Sequence, residues 1–278
     1  MIAARLPGDR LHLHHGPIDL IIGADGAREA AFAAAVARFA TVLDELVAEL
    51  PLLRQPVGVR PRGEIAQAMH GACWQHRAVF VTPMAAVAGA VAQTVLAAMV
   101  AAGGVSRAYV NNGGDIAVHL TPGATFRLAM TGLDGRDMGR ITLGHGDRVR
   151  GIATSGRGGR SHTFGIADQV TVLAETAALA DVAATLIANA VDVPGHRVIA
   201  RIPANRLSPD SDLGARRVVT HVGPLHEADT ARALSRGAAR AEGMANRGLI
   251  TAAALFLGGQ SRLTGAPHMM EQKEPAHA

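Results

Sequence analysis

The chain has 278 residues, enough for one large domain or two small ones. Hydrophobic residues make up 49% and charged residues 18%, which excludes a globally disordered chain, and aromatics at 3% require a core of small and aliphatic side chains. The net charge of +4 rests on scattered arginines, with Lys273 the only lysine, and no basic stripe with interleaved aromatics points to nucleic acid.

Residues 10–14 and 18–22 alternate or run apolar around Gly16-Pro17 and predict a hairpin that Asp25-Gly26 closes. Ala27 to Leu50 predicts a long helix, with Phe32, Val36, Phe39, Val42, Leu43 and Leu46 at helical spacing and Pro51 and Pro56 ending it. Gly63 to about His76 predicts a shorter helix. Pro83 to Gly104 is nearly uncharged and long enough to span a membrane. However, alanine, glycine and valine dominate it, and Gln93 and Thr94 interrupt it. Because alanine drives insertion weakly, a buried helix is expected and no membrane partner. The first ten residues carry no long apolar run and Cys73 is the lone cysteine, so a cytoplasmic chain without internal disulfides is expected.

From Ser106 onward the pattern turns to strands: Arg107–Asn111, Asp115–Leu120, Thr125–Met130, Gly139–Leu143, Gly151–Thr154 and Gln169–Ala174. A third long helix covers Thr176 to Ala190 and stops at Pro194-Gly195. Residues 203–217 predict a long surface loop, and Ala228 to Asn246 a final helix. The expected fold is α+β, with a largely antiparallel sheet and long packed helices, as a single domain over 1–258 whose pocket core is 81–191. Residues 259–278 are expected to form a flexible tail.

Four constellations could carry chemistry. Asp181, Thr185 and Asn189 recur every four residues and share one face of an apolar helix. Such polar groups need partners: either a hydrogen-bond network or a hard cation such as Mg²⁺ or Ca²⁺, which takes oxygen ligands. Asn111-Asn112-Gly113-Gly114-Asp115 is either a plain hairpin turn or a place where the backbone approaches a phosphate. Gly151-Ile152-Ala153-Thr154-Ser155-Gly156, followed by Arg157, Arg160 and His162, is either a flexible loop or a set of donors for an anion, with His162 as general base. His70, Cys73 and His76 step by three around a helix and supply only three ligands, so a structural role is expected, with Cys73 a small buried hydrophobe.

The order of the motifs carries a resemblance. Thr82-Pro83-Met84-Ala85-Ala86-Val87-Ala88-Gly89, Asn112-Gly113-Gly114-Asp115-Ile116 and Gly151-Ile152-Ala153-Thr154-Ser155 come first. Ser161-His162-Thr163-Phe164-Gly165, Ala167-Asp168-x-Val170-Thr171-Val172 and Ala180-Asp181-x-Ala183-Ala184-Thr185 with Asn189 follow. Together they resemble the uncharacterised ApbE-like family (UPF class), a sister group of the ApbE FAD:protein FMN transferases. The resemblance implies a fold related to the T-fold. It implies Mg²⁺ held by Asp181, Thr185 and a backbone carbonyl at Val87 or a neighbour, and a flavin dinucleotide lined by Gly113, Gly114, Asp115, Thr154 and Ser155. It also implies His162 beside the reacting phosphates, with Asp181 and His162 as the catalytic pair. The function implied is Mg²⁺-dependent binding of a flavin or other phosphorylated small molecule, with FMN transfer from FAD as its enzymatic form. The alternatives are an accessory protein of sulfur metabolism that does not flavinylate, or a structural homodimer. The chain departs from ApbE at Ala88, where those enzymes carry lysine, and from its sister family at Ala153, often cysteine there.

Overall fold

The computed structural model describes residues 1–132, 135–266 and 270–272. Lys273, the one lysine of the sequence, lies outside the described residues. In chain order the elements are β1 (Ile2–Leu6), β2 (Arg10–His15), β3 (Ile18–Gly26), α1 (Arg28–Ala48), α2 (Leu50–Leu53) and α3 (Glu64–Trp74). A 3₁₀ turn (Pro83–Ala86) leads into α4 (Val87–Ala101), β4 (Val105–Asn112), β5 (Asp115–Leu120), β6 (Thr125–Thr131), β7 (Asp137–Gly144) and β8 (Gly151–Ser155). Then come β9 (Gln169–Ala174), α5 (Ala177–Ala190), β10 (Ile199–Pro203), α6 (Ala204–Leu207), β11 (Arg217–Val222), α7 (Glu227–Asn246), β12 (Ala252–Leu257), β13 (Gln260–Gly265) and β14 (Met270–Gln272).

The chain divides into two compact units. The first comprises Met1–Phe126, Leu143–Ala153 and Ala174–Val182. Its strands run in the order β1-β2-β3-β4-β5-β8, antiparallel at each pairing. α4 packs on β4 and β5, with α1 and α3 against it. α1 buries Phe32, Ala35, Phe39, Val42 and Leu46, the helical stripe visible in the sequence. α4 is apolar on nearly every side and buries Ala90, Val91, Ala92, Thr94, Val95, Leu96 and Met99. The segment Pro83–Ala101 is long and apolar enough to cross a membrane by length and composition, and half of its most apolar window is buried inside the protein.

The second unit comprises Arg127–Thr142, Thr154–Leu173 and Ala183–Ala278. Within it β9, β12 and β13 pair in that order, antiparallel, with α7 across β12 and β13. A two-stranded ladder joins β10 and β11, and a three-stranded one runs β14-β7-β6. The fold is α+β with antiparallel ladders, as expected.

Differences from the sequence reading have physical causes. The loop expected over 203–217 is bounded by the paired strands β10 and β11 and contains the turn of helix α6. Arginine and Pro203 disguise β10, which sits in a ladder only two strands wide. β12 was missed because its alanines carry little strand propensity, yet all six of its residues are buried. The stretch from 259, expected as a flexible tail, contains β13 and β14, and its residues 267–269 and 273–278 lie outside the described residues.

Backbone approach sets the position of α5. A Cβ built on Gly89 of α4 would lie 2.2 Å from the Ala177 carbonyl oxygen, and one on Gly151 of β8 would lie 2.2 Å from the Thr176 carbonyl carbon. Glycine is required at both positions because the first turn of α5 packs directly on their backbones. Gly71 in α3 has open space around it. Gly89→Ala is therefore expected to destabilise by about 3 kcal/mol, as overpacking does, while Gly71→Ala leaves stability unchanged or raises it by about 0.5–1 kcal/mol. Thermal unfolding of the two variants checks this; a Gly89→Ala protein as stable as the wild type contradicts it.

Candidate functional site

α4 begins without a cap from its own sequence: Ala86 offers no side-chain acceptor to the amides of the first turn. That role falls to Asp181, at the start of the second turn of α5. Its Oδ2 accepts the Gly89 amide at 3.0 Å, and the Ala88 amide also donates to the carboxylate. A negative charge at a helix N-terminus is favourable. Burial nevertheless pushes the Asp181 carboxyl up to about 7, and the two amides only partly offset this.

Cys73 lies within the reach of that charge. Its thiol is fully buried and donates to the Thr82 carbonyl at 3.3 Å. Burial, and then the negative charge of Asp181, push the thiol far above its usual range. A thiol held neutral in this way is neither nucleophile nor metal ligand. His70 is buried, hydrogen-bonds the Gly58 carbonyl at 2.9 Å and stacks on Trp74. The triplet at 70, 73 and 76 is structural, as the spacing led one to expect.

Two further side chains complete the first unit's corner. The Gln93 Oε1 of α4 accepts the Ala178 amide in the first turn of α5 at 3.2 Å. Thr176 supplies the neighbouring cap, its Oγ1 accepting the Leu179 amide at 3.2 Å. The buried Asn112 donates from Nδ2 to the Ala88 carbonyl at 3.2 Å. Asn112 also ends β4, opposite Asp115, and between them the turn residues Gly113 and Gly114 have φ of 65° and 113°. Asn111 Oδ1 accepts the Gly114 amide at 2.8 Å, and Asp115 is buried. The structure thus brings Gly113, Gly114, the 87–89 segment and Asp181 to one place. Gln93 did not emerge from the sequence as a site residue, and Asn112 did so only as part of the glycine-turn segment. The available signal was a glutamine in the middle of an otherwise apolar helix.

In the second unit, Thr154 and Ser155 end β8, both half-buried. Thr154 Oγ1 lies 3.1 Å from Thr171 Oγ1, and Gln169 Nε2 donates to Thr171 Oγ1 at 3.3 Å. The loop that follows is exposed from Arg157 to His162. Arg157 Nε donates to Asp168 Oδ1 at 2.7 Å, and Asp168 Oδ2 accepts the Gly258 amide at 2.7 Å. Arg157 is therefore neutralised by Asp168 and anchors its loop. Asn189 belongs with this unit: its Oδ1 accepts from Thr163 Oγ1 at 3.1 Å and from the Phe164 amide at 2.9 Å. The row Asp181, Thr185, Asn189 seen in the sequence therefore divides, Asn189 pinning a loop while the other two remain one turn apart on α5.

The donor set around Asp181 suits one class of cation. Among the described residues no group of three His, Cys, Asp or Glu side chains is placed to hold a metal ion. A carboxylate keeps acceptor capacity after one or two amide bonds. Thr185 is half-buried and makes no side-chain hydrogen bond among the described residues. Such a carboxylate suits a hard, oxygen-ligated cation such as Mg²⁺ or Ca²⁺.

A UPF0280 protein of Methanococcoides burtonii is 41% identical over 119 residues, 42% of this chain and 49% of that relative. One of Methanopyrus kandleri is 36% identical over 180 residues, 62% of this chain and 69% of its own length. The chain thus spans about half the length of the first of these relatives. The solved flavin transferase ApbE from Vibrio cholerae shares 14% identity at a TM-score of 0.42, over 95% of this chain and 98% of that one. A family described as AbpE bacteria matches residues 3–263, nearly the whole chain. The chain belongs to this ApbE-like family, together with the UPF0280 proteins.

Proposed function

We propose that this protein binds a flavin nucleotide with Mg²⁺ at the N-terminus of α4, and that transfer of the FMN moiety from FAD is its enzymatic form. The observation that carries the reading is the Asp181 carboxylate seated on the first-turn amides of α4, one turn from the unengaged hydroxyl of Thr185. Asp181, Thr185 and a carbonyl at Val87 would hold the cation. When bound, it would polarise a pyrophosphate and offset its charge. The glycine turn at Gly113 and Gly114, together with Asp115, lets a phosphate-bearing ligand approach the backbone. Thr154 and Ser155 offer hydroxyls to the same ligand. His162, on its exposed loop, would stand beside the phosphates, where an imidazole can move a proton. A cytoplasmic setting accords with the lone cysteine.

Ala88 stands where ApbE enzymes carry lysine, so any transfer here would proceed without that side chain. The rival reading, a sulfur-handling accessory protein, gains nothing from Cys73, whose thiol is buried and held neutral.

Titration calorimetry with FAD tests the binding. The protein is expected to bind FAD with Mg²⁺ present and to lose at least about tenfold in affinity with chelator or in Asp181→Ala, as loss of a metal ligand should cause. Absence of FAD binding at millimolar Mg²⁺ contradicts the reading. Release of AMP on incubation with FAD, Mg²⁺ and an acceptor protein separates transfer from binding alone.

The pH dependence of stability gives a second test. Asp181 has a folded-state value raised above that of the unfolded chain, so its contribution is full below about pH 4 and is lost as pH rises through about 7. Without divalent cations, the wild type should therefore lose stability relative to Asp181→Asn between pH 4 and 7, by up to about 1.4 kcal/mol per pH unit. Thermal midpoints of both proteins across this range measure it; parallel curves contradict it.

A further inference from the structure

Asp181 reaches α4 only because α5 is set at the right depth against it, and three features of α4 fix that depth. Gly89 removes the side chain that would meet the Ala177 carbonyl. Gln93 lies one turn further along α4, on the same face as Gly89. Its Oε1 takes the Ala178 amide at 3.2 Å. Asp181, three residues beyond Ala178, then returns to the Gly89 amide at 3.0 Å. Each of the two helices thus has a first-turn amide satisfied by a side chain of the other.

The other first-turn amides of α5 are served from within. Thr176 Oγ1 accepts from Leu179 at 3.2 Å, and the Thr176 carbonyl accepts from Ala180 at 3.0 Å. These bonds hold the helix together but do not tie it to α4. Among the bonds to the first-turn amides of α5 described above, the one from Gln93 is the contact that ties α5 along α4. Gln93 is half-buried in a helix that is otherwise almost entirely apolar, and a polar group in such a place is stabilised by its partner.

We propose that Gln93 is a positioning residue for Asp181, setting through the Ala178 amide the depth at which the carboxylate meets the first turn of α4. The proposal rests on the reading of Asp181 as a cation ligand for its functional meaning, and the experiment keeps the two separable. Gln93→Met keeps the side chain's length and removes the acceptor. Gln93→Asn keeps the acceptor but withdraws it by one methylene. Gln93→Glu keeps an acceptor in place. Thr94→Val is the structural control, because it removes the buried bond from Thr94 Oγ1 to the Ala90 carbonyl in the same helix without touching α5.

Two quantities are read on the full chain: hydrogen exchange of the Gly89 amide by NMR, and affinity for Mn²⁺ by calorimetry. In Gln93→Met and Gln93→Asn the Gly89 amide is expected to exchange at least about tenfold faster and Mn²⁺ affinity to fall by about tenfold, the usual cost of losing an orienting outer-shell group. Gln93→Glu is expected to retain both, and Thr94→Val to change neither. Unchanged Gly89 exchange in the Met and Asn variants overturns the proposal, as does an equal effect in Thr94→Val. Faster Gly89 exchange in the Met and Asn variants, with no Mn²⁺ binding by the wild type, supports the role of Gln93 and sinks the cation reading instead.

Discussion

Two helix N-termini in this chain are each satisfied by a side chain of the other. α4 starts after a 3₁₀ turn with no cap of its own, and Asp181 of α5 accepts its amides. α5 starts from Thr176, and Gln93 of α4 accepts the amide that Thr176 leaves over. A lost cap costs about 1 kcal/mol, so the exchange is modest in energy. Its weight lies in geometry, since the two bonds and the Gly89 contact together leave one register for the pair of helices.

That register explains the surroundings of Asp181. A carboxylate is drawn to the positive end of α4, yet the apolar helices around it raise its proton affinity. The same charge keeps the buried Cys73 thiol neutral. Asn112 holds the Ala88 carbonyl and so ties the glycine turn of β4 and β5 to the same helix end.

Much of this was legible in the chain. β5 and β9 begin and end where the alternation of their residues predicts, and the stripe on α1 is read directly from Phe32, Phe39, Val42 and Leu46. The spacing of Asp181 and Thr185 is a local property of one helix, so it needed no tertiary knowledge. For Asn189 the sequence left a hydrogen-bond network and a cation both open, because spacing cannot tell which polar residue on a face has a partner; Thr163 and the Phe164 amide take it. Gln93 and Ala178 are 85 residues apart, and nothing local pairs them. Gly89 likewise looks like one small residue among many until its distance to Ala177 is known. β12 stayed hidden because burial, not propensity, makes alanine-rich segments into strands.

The account turns on whether Asp181 and Thr185 hold a divalent cation. Crystals grown with Mn²⁺ and recorded for anomalous scattering decide this most directly. An anomalous peak in contact with the Asp181 carboxylate and the Thr185 hydroxyl is the predicted result. A Mn²⁺ peak elsewhere with none at Asp181, or no peak at saturating Mn²⁺, would contradict it.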